Sequence, residues 1–237
     1  MRSLLNEYED IRWGPIPIEK IRDSFVFDKE YPIKSNIAYN FQYLEYIDKQ
    51  LSDLKLTSVI TNMLYKTYVI TAMSIIEAIF YLVLKTNNLL DKDCWINVNK
   101  YVSNSTSKEG VTTRVISQMQ EKVDEYEKRI NFDYLISKIE KKNLLRLNSF
   151  RFSMLDYLRE LRNKVHIYIL KNSKDTDYNS FNRLDYLSTK AILHSVLLQE
   201  NVTKISHRDY IDKYFENILR DWYEENDKTK IISDEKE

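Results

Sequence analysis

The chain has 237 residues, and its 36 Lys and Arg residues are balanced by 36 Asp and Glu residues, so the formal net charge at pH 7 is zero. This balance excludes a whole-molecule electrostatic attraction to nucleic acid or to an anionic membrane, and any such contact has to come from a local patch. With 43% hydrophobic residues, the chain can bury a sizeable core, which excludes intrinsic disorder over most of its length.

Glycine and proline are scarce: there are two glycines, Gly14 and Gly110, and three prolines, all before residue 33. Sheet proteins need turn residues about every ten positions. We therefore predict an all-α protein, a single helical bundle with an irregular N-terminal arm. Two glycines this far apart also exclude a P-loop and a Rossmann fingerprint.

The one cysteine, Cys94, cannot form an internal disulfide, and with no signal peptide at the N-terminus this predicts a cytoplasmic protein.

The first half of the chain predicts an arm and two helices. Residues 1–33 predict an arm around a short helix that docks on the body. From Ser35, apolar residues at helical spacing predict an amphipathic helix; they are Ile37, Phe41, Leu44, Ile47 and Leu51. The 17 residues from Tyr68 to Leu84 then carry a single charge, Glu77. This length is at the lower limit for a membrane span and a carboxylate in lipid is costly, so we predict a buried central helix and no membrane contact.

From residue 87 the predicted elements alternate between polar segments and helices. They are a loop over 87–110, helices over 111–130, 132–145 and 149–170, a polar break over 171–180, and helices over 181–199 and 207–225. The predicted domains are the N-terminal arm over residues 1–33, a helical domain over residues 34–225 and a disordered acidic tail over residues 226–237.

The stretch LRELRNKVHIYILKN, residues 158–172, places two arginines and a histidine among apolar residues. Read as one helix, it has a core seam of Met154, Leu158, Leu161, Val165 and Tyr168. A second stripe lies one position on, about 100° around the helix; it comprises Leu155, Arg159, Arg162, His166 and Ile169. Arg159 and His166 are then within roughly 20° of each other, and Arg162 and His166 are about 40° apart. All three polar side chains therefore point the same way, at the border of the buried face.

Guanidinium groups beside an imidazole suit a phosphodiester. Arginine binds phosphate oxygens in a bidentate manner and stabilises the charge that develops on them. His166 titrates near neutrality, so it can accept a proton from a ribose 2′-hydroxyl or donate one to a leaving oxygen. This arrangement requires no metal. The alternative is that the arginines only border a helical seam and that the histidine is packed or solvated.

The pattern L-R-x-L-R-N-x-V-H-x-Y resembles the motif of the HEPN superfamily, small all-α domains of bacterial toxins, abortive-infection proteins and RNA-processing enzymes. That motif is an arginine, often followed by Asn, Asp or His, and then a histidine after four to six intervening residues. Arg159 has six intervening residues before His166, whereas Arg162, which is followed by Asn163, has three. Either arginine is therefore a candidate for the motif arginine. Tyr168, two positions after His166, matches a tyrosine of some toxin branches.

The resemblance implies a metal-independent endoribonuclease without a cofactor, which leaves a 2′,3′-cyclic phosphate and a 5′-hydroxyl. Its catalytic residues would be His166, Arg162 and Arg159, supported by Asn163 and Tyr168. The resemblance also implies a homodimer through the motif helix and an RNA-directed toxin or defence role, with an antitoxin or another protein as partner. Because some members have lost activity, the alternative is a catalytically inactive binding or scaffold module for a partner protein, nucleotide or RNA.

Two further features bear on this site. From Lys138 to Lys174 there are ten Lys and Arg residues against three acids, as expected of a phosphate-binding face or of ordinary solvated helix faces. Glu77 needs a partner when buried, and we expect Arg159 or Arg162, with a hydrogen bond to a tyrosine or threonine as the alternative. The three histidines and one cysteine have no zinc-ligand spacing, so no metal site is predicted.

Overall fold

The computed structural model describes residues 14–128, 130–165, 176–216, 218 and 220–226. The chain divides into two units. Residues Asn88–Ile130 form one unit, which we call the hairpin, and the residues on either side of it form the other, which we call the helical body.

The helical body is built from α-helices. They are α1 (Ile18–Ser24), α2 (Tyr31–Asp53), α3 (Ser58–Thr86), α4 (Phe132–Lys141), α5 (Ser149–Arg162), α6 (Asp177–Ser180), α7 (Arg183–Leu197) and α8 (Asp209–Tyr214). Short 3₁₀ turns follow α5 at Asn163–Val165 and precede α8 at Ile205–His207. Residues 220–226 are also helical.

Helix α3 is the centre of the helical body, because α2, α4, α5, α6 and α7 all pack against it. Tyr68, Ala72, Ile76 and Phe80 have no exposed surface. This segment is the one predicted as a buried central helix. It is long and apolar enough to cross a membrane, with a mean hydropathy of 1.9 over its most apolar window, but 61% of that window is buried inside the protein.

Helix α2 turns its predicted apolar face to the core: Ile37, Phe41, Leu44 and Ile47 are buried. The segment before it is tied to the helical body by backbone pairing, since the N–H of Val26 donates to the carbonyl of Val202 at 3.1 Å. Burial of apolar side chains at helical spacing therefore accounts for the position of this helix.

A polar cluster around Asp48 joins α2, α7 and α8. The Asp48 carboxylate accepts hydrogen bonds from the hydroxyls of Tyr186 at 2.7 Å and Tyr214 at 2.6 Å, and from Lys190 Nζ at 2.7 Å. The Lys190 ammonium also lies over the rings of Tyr68, Tyr186 and Tyr214. The two opposite charges are largely removed from water, and each has several partners, which offsets the cost of desolvation.

The hairpin consists of two pairs of antiparallel strands. β1 (Lys92–Val102) pairs with β4 (Ile116–Glu127), and β2 (Thr106–Lys108) pairs with β3 (Val111–Thr113). The register of β1 and β4 shifts twice, between Asp93 and Trp95 and between Asn97 and Asn99. The tip is the two-residue turn Glu109-Gly110, whose φ angles are 54° and 77°.

The hairpin shows that the predicted all-α fold is wrong. We predicted a loop over residues 87–110 and a helix over residues 111–130, but the first range contains strands β1 and β2 and the second contains strands β3 and β4. Gln, Glu, Lys and Met in β4 are good helix formers, but propensity is a weak prior that pairing with a distant strand overrides. The scarcity of glycine was misleading because one long hairpin needs only one tight turn, and Gly110 lies in it.

Candidate active site at the end of helix α5

Helix α5 begins where the sequence predicts it and ends earlier. The Asn148 side chain accepts a hydrogen bond from the backbone N–H of Arg151, which caps the helix at Ser149. The α-helix ends at Arg162 instead of continuing to Leu170, and a 3₁₀ turn over Asn163–Val165 follows. Residues 166–175 lie outside the described residues, and with them the predicted site residues His166 and Tyr168.

The buried face of α5 differs from the predicted seam. Its buried residues are Phe152, Leu155, Leu158 and Leu161, at steps of three. Leu158 and Leu161 belong to the predicted seam, but Leu155, which we placed on the polar stripe, has no exposed surface. Val165, which we placed in the seam, is 50% exposed. A 3₁₀ turn advances about 120° per residue instead of 100°, so the α-helical register does not extend beyond Arg162.

Arg162 and Glu77 form an ion pair between α5 and the middle of α3. Arg162 Nη2 donates to Glu77 Oε2, and the two side chains are 28% and 27% exposed. The single carboxylate in the apolar run of α3 thus has a guanidinium partner, one of the two that we expected from the sequence. The pair is partly desolvated, which strengthens the attraction and fixes the guanidinium in one position.

Arg159, one turn earlier on α5, contacts two carboxylates. Its Nη2 lies 3.3 Å from Asp133 Oδ1 and its Nε lies 3.7 Å from Asp156 Oδ1. The Nε has no hydrogen-bond partner among the described residues, although it is buried. Asp156 precedes Arg159 by three residues, a helical spacing visible in the sequence. Asp133, in the first turn of α4, was missed because nothing local links it to Arg159.

The electrostatic surroundings of α5 are more balanced than the sequence of the segment suggests. Two carboxylates from outside the basic stretch Lys138–Lys174 pair with its arginines. Glu77 of α3 pairs with Arg162, and Asp133 of α4 pairs with Arg159. Asn163 is exposed at the end of the helix. Lys164 Nζ donates to Ser180 Oγ at 2.7 Å, which links the 3₁₀ turn to α6. The excess of positive charge along the segment is therefore partly neutralised in three dimensions.

The histidines that are described are His194 and His207. His194 on α7 stacks on Phe215 with the ring centroids 4.9 Å apart, and its Nε2 lies 3.2 Å from Asp212 Oδ1. Burial lowers the pKa of His194, and the Asp212 carboxylate partly opposes this shift. His207 lies in a 3₁₀ turn beside Ser206. Among the described residues, no group of three or more His, Cys, Asp or Glu side chains lies close enough to hold a metal ion.

Comparisons with protein-family models, curated proteins and solved structures found no match for this chain.

Proposed function

We propose that the protein acts on RNA through the end of helix α5, as a metal-independent endoribonuclease of the HEPN type. The observation that supports this proposal is the ion pair between Arg162 and Glu77, which holds the Arg162 guanidinium in place. Arg162 precedes His166 by four residues in the sequence. Arg159 lies one helical turn away and is held by Asp133. Guanidinium groups held by the protein lose little further freedom when they bind a phosphate, which favours stabilisation of a charged transition state.

The reaction would be an internal transesterification. The ribose 2′-oxygen attacks the neighbouring phosphorus, the bond from phosphorus to the 5′-oxygen breaks, and the products are a 2′,3′-cyclic phosphate and a 5′-hydroxyl. His166 would accept the proton of the 2′-hydroxyl or donate the proton that the 5′-oxygen needs. Arg162, Arg159 or both would stabilise the negative charge on the phosphoryl oxygens.

The second candidate function is a HEPN-like module that binds RNA, a nucleotide or a protein partner without turnover. One observation favours it: both arginines of the candidate site are already next to carboxylates. A guanidinium that is neutralised by a carboxylate attracts phosphate less strongly. In this function the pair between Arg162 and Glu77 would mainly hold α5 on α3.

Incubation of the purified protein with total RNA in excess EDTA tests the first candidate. We expect cleavage between about pH 6 and pH 9, and a loss of about 10²–10⁴-fold in rate for His166→Ala, the typical contribution of general acid–base catalysis. His207→Ala is the matched control and should cleave like the wild type. Retention of RNA without cleavage, or equal cleavage by His166→Ala, would contradict the nuclease and favour the binding module.

A double-variant experiment separates the chemistry of Arg162 from its structural role. Arg162→Gln alone leaves the Glu77 carboxylate without its partner and should lower the free energy of unfolding by roughly 1–3 kcal/mol. Glu77→Gln/Arg162→Gln removes both charges, and we expect it to recover most of that stability, as measured by urea unfolding. If Arg162 takes part in catalysis, cleavage by the double variant stays low. Wild-type cleavage by the double variant would leave Arg162 with only a structural role.

A further inference from the structure

A cavity of about 340 Å³ lies between the loop that joins α4 to α5 and the turn that follows α7. Its polar lining includes Asn143, Arg146, Gln199, Glu200, Asn201 and Arg208. This volume is at the lower end of the range for pockets that hold small molecules. The cavity is therefore large enough for a phosphate-sized anion with a small organic group attached.

The two loops that form the cavity are held together by side-chain hydrogen bonds. Gln199 Oε1 accepts from the backbone N–H of Arg146 at 2.9 Å. Asn201 Nδ2 donates to the carbonyl oxygen of Leu144 at 2.8 Å. Each bond joins residues more than 50 positions apart in the sequence. These hydrogen bonds hold the two loops of the cavity in place, so a ligand would not have to order the loops when it binds.

The Arg208 guanidinium in this lining has no carboxylate within ion-pair distance among the described residues. Its Nε and Nη2 are buried, and neither has a hydrogen-bond partner among the described residues. By contrast, Arg162 and Lys190 each have a carboxylate within ion-pair distance. Water cannot solvate the buried edge of the Arg208 guanidinium, so holding the positive charge there is costly unless an anion lies nearby.

Charge in the cavity lining is positive on balance. Arg146 adds a second guanidinium, and it is exposed at the surface. Glu200 is the carboxylate in this lining; it is exposed, so solvent and salt screen its charge. An anion inside the cavity would therefore be attracted by two guanidinium groups and opposed by one screened carboxylate.

We propose that this cavity binds the phosphate-class oxyanion of a small molecule, with Arg208 and Arg146 as the anion-binding residues. An anion there would compensate the charge of Arg208, and guanidinium groups match the oxygens of such a group. Arg146 precedes α5, whereas Arg162 ends it, and the helix has 14 residues. The two ends of α5 are thus roughly 20 Å apart, and this site is separate from the proposed RNA site.

Titration with inorganic phosphate at constant ionic strength, followed by calorimetry, tests the proposal on the full chain. We expect saturable binding that Arg208→Met and Arg146→Gln each weaken by about tenfold or more. Arg220→Gln is the matched control, because Arg220 is exposed and lies outside this cavity lining. Without phosphate, Arg208→Met should melt no lower than the wild type, since it removes two buried guanidinium nitrogens that have no hydrogen-bond partner among the described residues.

The proposal is overturned if phosphate does not bind saturably, or if Arg208→Met binds it as the wild type does. Equal weakening by Arg162→Gln would also overturn it, since the phosphate would then occupy the other end of α5. Ribose 5-phosphate should compete with phosphate, whereas a short RNA should not. Displacement of phosphate by the RNA alone would assign the cavity to a nucleic-acid backbone. None of these measurements depends on cleavage, so the result stands whether or not the protein is a nuclease.

Discussion

Two carboxylates of the helical body are matched by cations from other helices. Glu77 of α3 pairs with Arg162 of α5, and Asp48 of α2 pairs with Lys190 of α7. Such pairs add little net stability, but removal of one partner leaves a costly unmatched charge. Arg208 has no such partner among the described residues, which is why we propose an external anion for its cavity.

Glu45 is a carboxylate of a different kind, because among the described residues its partner is a backbone N–H instead of a cation. Its Oε2 accepts a hydrogen bond from the backbone N–H of Ile16 at 3.2 Å, which joins the segment before α1 to α2. Burial raises the pKa of Glu45 from 4.5 to about 7, with a smaller contribution from the Asp48 charge, while the hydrogen bond from Ile16 lowers it. The charged form of Glu45 is thus disfavoured in the folded protein.

This shift predicts a pH dependence of stability with a definite sign. Between pH 4.5 and about pH 7, the folded protein holds the Glu45 proton more tightly than the unfolded chain does. The contribution of Glu45 to the free energy of unfolding therefore decreases as pH rises through this window. Glu45→Gln should remove this decrease. The free energy of unfolding of the variant minus that of the wild type, measured with urea, should therefore increase with pH. The exposed Glu216→Gln is the control, and parallel pH profiles of Glu45→Gln and the wild type would contradict the prediction.

The tip of the hairpin is the element in which backbone conformation is most demanding. Glu109 and Gly110 both have positive φ, the pattern of a type I′ turn. Glycine adopts this conformation without steric cost, whereas glutamate does not. Asn-Gly is the preferred pair at such a turn, so the residue before Gly110 is not optimal.

Glu109→Asn is therefore expected to stabilise the hairpin by up to about 1 kcal/mol, whereas Gly110→Ala should destabilise it by about 1 kcal/mol or more. Hydrogen exchange of the Ser103 amide, which donates to the carbonyl oxygen of Val115 at 2.9 Å, reports on hairpin opening. Gly14→Ala is the control, because Gly14 has no positive φ and open space around its Cβ position. Unchanged exchange in Gly110→Ala would show that this turn does not limit hairpin stability.

For the whole molecule, the division into two units predicts that the helical body folds without the hairpin. The core around α3 belongs to the helical body, and the two ends of the hairpin meet where the N–H of Lys128 donates to the carbonyl of Asp91 at 2.9 Å. A short linker can therefore replace residues 92–127 without a long loop to close.

A variant with a short Gly/Ser linker in place of residues 92–127 should keep a single cooperative unfolding transition. Its melting temperature should stay within about 8 °C of that of the wild type. For a domain of this size, such a shift corresponds to a change of roughly 2 kcal/mol or less in the free energy of unfolding. Circular dichroism should show loss of the strand contribution with the helical signal retained. Loss of cooperative unfolding would show that the helical body depends on the hairpin.

Helical periodicity in the sequence was sufficient to predict α2, α3, α4, α7 and the start of α5. Apolar residues that recur every three or four positions mark one buried face, and this signal is contained in each segment. The sequence also identified Glu77, Arg159 and Arg162 as candidate site residues, because a lone carboxylate in an apolar run needs a cation and an arginine pair suits a phosphate. The roles of His166, Asn163 and Tyr168, the RNA target, the homodimer and the HEPN membership stay predictions.

Tertiary structure alone decided the features that depend on distant partners. Glu77 and Arg162 are 85 positions apart, and only packing of α5 on α3 selects this pair over Arg159. β4 forms a strand because β1 satisfies its backbone hydrogen bonds. The side chains of β4 do not by themselves indicate this pairing. The position of Arg208 in its cavity likewise arises from loops that are distant in the sequence. Local sequence determines where a segment can be helical, but long-range pairing determines which charges are matched and which segments become strands.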